Sequence, residues 1–134
     1  MSENIAIHTS NAPSPIGPYS QAIKCGQTVY LSGQIPLDPQ TGELVPGSIS
    51  EKAEQVFNNL EAVAIAAGGN LNDIVKLTIF LTDFSVFAEV NTVMKKHFKE
   101  PFPARSTVAV KQLPLNVPLE IEGIMQIPQS KSNL

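Results

Sequence analysis

The sequence predicts an α+β fold, a mixed sheet with two helices on one of its faces. Three observations predict it. Segments with strand-like alternation flank two segments whose apolar residues recur at helical spacing. Strand–helix–strand succession needs crossover connections, so part of the sheet is parallel. The strands also carry more apolar surface than two helices can cover. A large apolar patch is rarely left bare, so a second copy is expected on the far face. The 134 residues read as one domain over 1–134.

The elements follow in chain order. Residues 11–18, NAPSPIGP, hold three prolines and form a rigid loop that delivers Tyr19. Cys25 stands before Gly26 at a strand end. TVYLSG, 28–33, alternates, with Val29 and Leu31 on one face and Thr28, Tyr30 and Ser32 on the other. PLDPQTGEL, 36–44, is a turn before a short extended piece. Ser48 and Glu51 fit a capping box. Ala53, Val56, Phe57, Leu60, Val63, Ala64 and Ala67 then mark a helix that Gly68 and Gly69 stop. A strand over 74–82 points Val75, Leu77, Ile79 and Leu81 one way, and Ile74 and Phe80 the other. Asp83 or Ser85 caps a second helix over 86–98, with Phe87, Val90, Met94 and Phe98 as its stripe. Pro101 and Pro103 end it. Strands over 105–112 and 119–127 complete a ββ(β)αβαββ order.

Composition excludes several functions. Twelve acidic against nine basic residues leave a net charge of −3, which disfavours a nucleic-acid partner. One cysteine permits no intrachain disulfide, and no segment approaches the length of a membrane helix. MSENIAIHTS has no features of a signal peptide, so a cytoplasmic location is expected. There is no phosphate loop, nucleophile elbow or metal-ligand spacing. His8, His97 and Cys25 read as ordinary structural residues.

Arg105 stands out, because the other eight basic residues are lysines. It alternates onto a face with Thr107, Ala109 and Lys111, while Ser106, Val108 and Val110 face the other way. Two readings stand. Arg105 pairs with Glu120 or Glu122 on the final strand, or its planar fork holds a ligand carboxylate. Glu120 and Glu122 share one strand face, either solvated or lining a cleft where a carboxylate activates water. Tyr19 offers a hydroxyl or packs as an aromatic. Ser32 and Gly33 offer backbone N–H groups or form a plain turn. Asn91 interrupts an apolar stripe and needs a partner or a pocket.

GPYSQA (17–22), VYLSGQIPLDPQTGEL (29–44), NNLEAVAIAAGGNLNDIVKLTIFLTD (58–83), PARSTVAV (103–110) and LPLNVPLEIEGI (113–124) together resemble the RidA, or YjgF, family over nearly the whole chain. The resemblance implies a chorismate-mutase-like α+β fold. It implies a homotrimer with a central β-barrel and three clefts between subunits. The implied activity is hydrolysis of 2-imino or 2-enamino acids, such as 2-aminoacrylate, to 2-oxo acids and ammonia, with no metal or cofactor. Such species are released by pyridoxal-phosphate dehydratases acting on serine and threonine. By resemblance, Arg105 clamps the substrate carboxylate with help from the Gly33 backbone. Tyr19 lines the cleft, and Glu120 positions or activates water. Ser32, Asn91, Ser106 and Thr107 complete the pocket. Many family members have cysteine where this chain has Thr107, so no thiol mechanism is expected here. Two alternatives remain: a non-catalytic trimer binding small 2-oxo or imino carboxylates, and a ribonuclease or translation inhibitor.

Overall fold

A computed structural model describes residues 3–128. In chain order the elements are β1 (Asn4–Ile7), β2 (Ala22–Cys25), β3 (Thr28–Gln34), α1 (Ile49–Ala66), β4 (Ile74–Leu81), α2 (Phe87–His97), β5 (Ala104–Ala109) and β6 (Leu119–Gln126). The strands form one sheet in the order β1-β2-β3-β6-β4-β5. Only β4 and β5 run parallel, joined by the crossover through α2. β1 and β2 are the strands that the sequence pattern did not delimit, beyond placing Cys25 at a strand end.

α1 begins where the capping box places it. Ser48 Oγ accepts from the Glu51 N–H at 3.2 Å, and the Glu51 carboxylate accepts from the Ser48 N–H at 2.9 Å. These hydrogen bonds hold the Glu51 carboxyl below the usual carboxylate range. Ala53, Val56, Phe57, Leu60, Val63 and Ala64 are buried as the spacing requires. Gly68, at φ 101°, takes the left-handed turn after the helix. α2 departs slightly from expectation. Asp83 caps a short 3-10 turn, Phe84–Val86, by accepting from the Ser85 N–H at 2.9 Å. The helix proper then continues from Phe87 without a side-chain cap.

Both helices lie on one face of the sheet. Under them pack Val29, Leu31, Leu77, Ile79, Leu81, Leu119, Ile121 and Met125. Two bulges decide which residues reach that face. In β4, Ile74 pairs with Met125 and Lys76 with Ile124, so Val75 is the extra residue. Ile74 therefore joins the core and Val75 is exposed, the reverse of the simple alternation. In β3, Ser32 and Gly33 stand together opposite Glu122, between the Leu31–Gly123 and Gln34–Ile121 pairs.

The far face is less apolar than the sequence suggests. Ile74, Leu119, Ile121 and Met125 all lie under the helices. Part of the far face is covered by the chain itself, where Ile35, Leu37, Leu113 and Val117 pack with Phe80 and Val110. The remainder mixes Tyr30, Val108 and Ile124 with Thr78, Ser106, Glu120 and Glu122. No helix among the described residues is long and apolar enough to cross a membrane.

Candidate active site

The β4–β5 register sets the position of Arg105. It pairs with Leu77, and Thr107 pairs with Ile79, so both side chains leave the sheet on the helix-covered side. There the guanidinium meets α2. Nη1 donates to Asn91 Oδ1 and approaches Met94 Sδ at 3.7 Å. The guanidinium carbon lies 5.3 Å from the Phe87 ring centroid, within cation–π range. Residues 87, 91 and 94 share one face of the helix, so a single rigid element supplies all three contacts. Lys95, Phe102 and Pro103 complete an open cleft of about 500 Å³ around Arg105. Among the described residues no carboxylate pairs with Arg105.

Glu120 and Glu122 lie elsewhere. Glu120 pairs with Phe80 and Glu122 with Thr78, which places both on the far face of the sheet. β4 separates their strand from β5. The ion pair that the sequence allowed between Arg105 and either acid is therefore absent. Its physical reason is topological, since consecutive strands are not neighbours here.

Glu120 belongs to a second cleft of about 340 Å³, which Tyr19, Ser32, Gly33, Ile16, Pro114 and Glu122 also line. The β3 bulge makes room for its carboxylate. A Cβ at Gly33 would stand 2.9 Å from Glu120 Cδ, so any larger residue there displaces the carboxyl from its present place. Burial, and then the neighbouring charge of Glu122, push the Glu120 carboxyl above the usual range. Tyr19 is partly exposed at the rim, its hydroxyl accepting from the Ile16 N–H at 3.3 Å. Ser32 Oγ donates to the Ser20 carbonyl at 2.6 Å, tying the bulge to the Tyr19 loop.

Gln21, absent from the sequence-derived candidates, holds that loop. Its buried amide accepts from the Thr9 N–H at 2.8 Å. It donates to the carbonyls of Thr9, Ala12 and Pro13 at 3.0, 3.3 and 2.9 Å. Phe87 and Met94, which the helical spacing places in the apolar stripe, also touch the guanidinium. Their spacing about Asn91 is the signal that could have found them.

The predicted residues thus fall into two groups on opposite faces of one chain. Arg105, Asn91 and Thr107 are on one; Tyr19, Ser32, Gly33 and Glu120 are on the other. Ser106 points away from Arg105 and accepts from Lys76 Nζ at 3.3 Å. The Thr107 hydroxyl is buried without a hydrogen-bond partner. Among the described residues no cluster of three or more His, Cys, Asp and Glu side chains could hold a metal ion.

Fold and clefts together define a class: small α+β proteins with a lone guanidinium on one sheet face and a half-buried carboxyl of raised proton affinity on the other. The family model described as endoribonuclease L-PSP matches residues 9–127. The chain belongs to that family, the RidA/YjgF family that its motifs resemble. It is 51% identical over 127 residues to a 2-iminobutanoate/2-iminopropanoate deaminase of Dermatophagoides farinae, covering 95% of this chain and 99% of that one. It is similar to the solved structure of RidA from an Antarctic Psychrobacter, at 50% identity and a TM-score of 0.89, covering 92% of this chain and 99% of that one. It is also similar to Escherichia coli TdcF with bound serine, at 41% identity and a TM-score of 0.86, covering 92% and 99%.

Proposed function

We propose that the chain hydrolyses 2-imino and 2-enamino acids to 2-oxo acids and ammonia. In this reading Arg105 binds the carboxylate and Glu120 handles the water. The observation that carries it is the Arg105 guanidinium, held by α2 but without a carboxylate partner among the described residues. The two clefts lie on opposite faces, so a complete site forms where Arg105 of one protomer faces Glu120, Tyr19 and Gly33 of the next. A contact between two different faces closes into a ring when its rotation divides a full turn evenly. The homotrimer that the family resemblance implies is such a ring. A deaminase relative covering nearly the whole chain supports the activity.

The chemistry needs few groups. Arg105 anchors the carboxylate and so fixes the adjacent C=N carbon. Glu120, with its proton affinity raised by burial and by Glu122, accepts a proton from water as its oxygen attacks that carbon. The tetrahedral intermediate carries a hydroxyl and an amino group on one carbon. With the imine nitrogen protonated at the start, this intermediate is neutral at that carbon. Return of the Glu120 proton to nitrogen makes it the leaving group. As the C–N bond breaks, the hydroxyl proton passes to the freed Glu120 carboxylate, so that ammonia and the 2-oxo acid are released. Tyr19 and the Gly33 backbone border the space where the amino group and oxygen lie.

The test couples a threonine or serine dehydratase to this protein and follows 2-oxo acid release. Acceleration by wild type and its loss in Arg105→Lys are expected, since lysine keeps the charge and removes the fork. No acceleration, or acceleration untouched by Arg105→Lys, refutes the reading. A carboxylate-sequestering role would use the same arginine, and TdcF binds serine, itself a carboxylate. Glu120→Gln separates the two: an enzyme loses hydrolysis while keeping ligand affinity. Nothing in the described site favours RNA cleavage. His97 is engaged by Glu54 and stacked on Phe57, and the net charge is negative.

A further inference from the structure

How the Arg105 guanidinium is held decides which of its edges can meet a carboxylate. Nη1 carries two hydrogens. It donates to Asn91 Oδ1 and approaches Met94 Sδ at 3.7 Å. Nε and Nη2 have no hydrogen-bond partner among the described residues. A guanidinium can grip a carboxylate end-on through Nη1 and Nη2, or side-on through Nε and Nη2. With Nη1 engaged by α2, an end-on grip competes with Asn91 and Met94 for that nitrogen, whereas the Nε–Nη2 edge is open among the described residues.

We propose that Asn91 is a positioning residue: by occupying Nη1 it leaves the Nε–Nη2 edge of Arg105 as the edge that binds the substrate carboxylate. This rests on the reading in which Arg105 binds that carboxylate. It explains the residue type. Asparagine supplies an oxygen acceptor without a charge. An aspartate would hold the same nitrogen but neutralise the cation that the substrate needs. Phe87 serves the same end, fixing the guanidinium plane by its ring while accepting no hydrogen bond along an edge.

The chain has a single arginine, so ¹⁵N-labelled protein gives one Nε–Hε signal. The wild-type protein is titrated at about pH 6 with 2-oxobutanoate, and separately with its methyl ester. The acid should move Hε downfield and slow its exchange with water; the ester should do neither. An Hε signal unmoved at saturating acid overturns the proposal. Asn91→Ala should weaken 2-oxobutanoate binding about tenfold, and raise KM by a similar factor while kcat stays within about threefold. Asn91→Asp should weaken binding further. A merely structural asparagine would lower Tm and kcat without that split, and binding to Asn91→Asp as tight as wild type overturns the proposal. Arg105→Lys is the control for the underlying reading. If it binds 2-oxobutanoate normally, that reading fails. If only the Asn91 variants bind normally, the role of Asn91 alone fails. The wild-type titration decides the matter even if an Asn91 variant does not fold.

Discussion

Glu120 shows how one residue's surroundings set its chemistry. Its carboxyl fits against Gly33 because glycine, in the β3 bulge, has no side chain in its path. Gly33→Ala forces that carboxyl aside. The expected result is a loss of stability of about 1–3 kcal/mol and a fall in kcat. Combining Gly33→Ala with Glu120→Ala should restore the stability but not the activity. If Gly33→Ala lowers stability equally with and without the glutamate, backbone conformation and not the carboxyl demands the glycine. The raised proton affinity has a sign that can be checked. Unfolded, a glutamate releases its proton near its ordinary value of 4.5; folded, Glu120 releases it higher. Between those pH values the unfolded state binds fewer protons. The Glu120 contribution to stability is therefore full below 4.5 and is lost as pH rises through the folded value. Glu122→Gln removes the repelling charge. The acidic limb of the kcat/KM profile should move to lower pH in that variant, and an unmoved limb means that burial alone sets it.

At the scale of elements, much was legible and the remainder has identifiable causes. α1 could be read to the residue because its cap, its apolar stripe and its terminal glycine agree. β4 was placed correctly, but its first residues were assigned to the wrong faces. A bulge inserts one residue, which alternation cannot register. Arg105 and Glu120 were both singled out. Their separation by β4 was not visible, because strand order is not written in strand sequence. Gln21 escaped notice because its partners are backbone groups 8 to 12 residues away, with no side-chain signature. It nevertheless fixes the loop that ends in Tyr19. Gln21→Leu keeps the volume and abandons the Thr9, Ala12 and Pro13 backbone groups. It should cost about 2–3 kcal/mol and lower kcat, while Arg105-dependent binding of 2-oxobutanoate to the protein persists. Unchanged stability in urea unfolding would show that water replaces the amide.

At the scale of the whole molecule, the reason to expect a second copy is the divided site more than surplus apolar surface. Loops from this chain cover part of the far face, and the rest carries two carboxylates among its apolar residues. A divided site makes a quantitative prediction. Arg105→Lys and Glu120→Gln chains are each expected to be inactive alone. Unfolded together in equal amounts and refolded, they are expected to form mixed rings if the proposed ring is the assembly. A cleft is intact when its arginine comes from a Glu120→Gln chain and its glutamate from an Arg105→Lys chain. Each condition holds for half of the positions, so about a quarter of wild-type activity should return. If Arg105 and Glu120 served one site within a single chain, every site would carry one lesion and mixing would restore nothing. The mixture is compared with each variant refolded alone, so recovery cannot come from refolding itself. A chain carrying both substitutions, refolded with wild type in equal amounts, provides the converse. Between chains, an intact cleft again needs two wild-type contributors, and about a quarter of the activity remains. Within a chain, half remains.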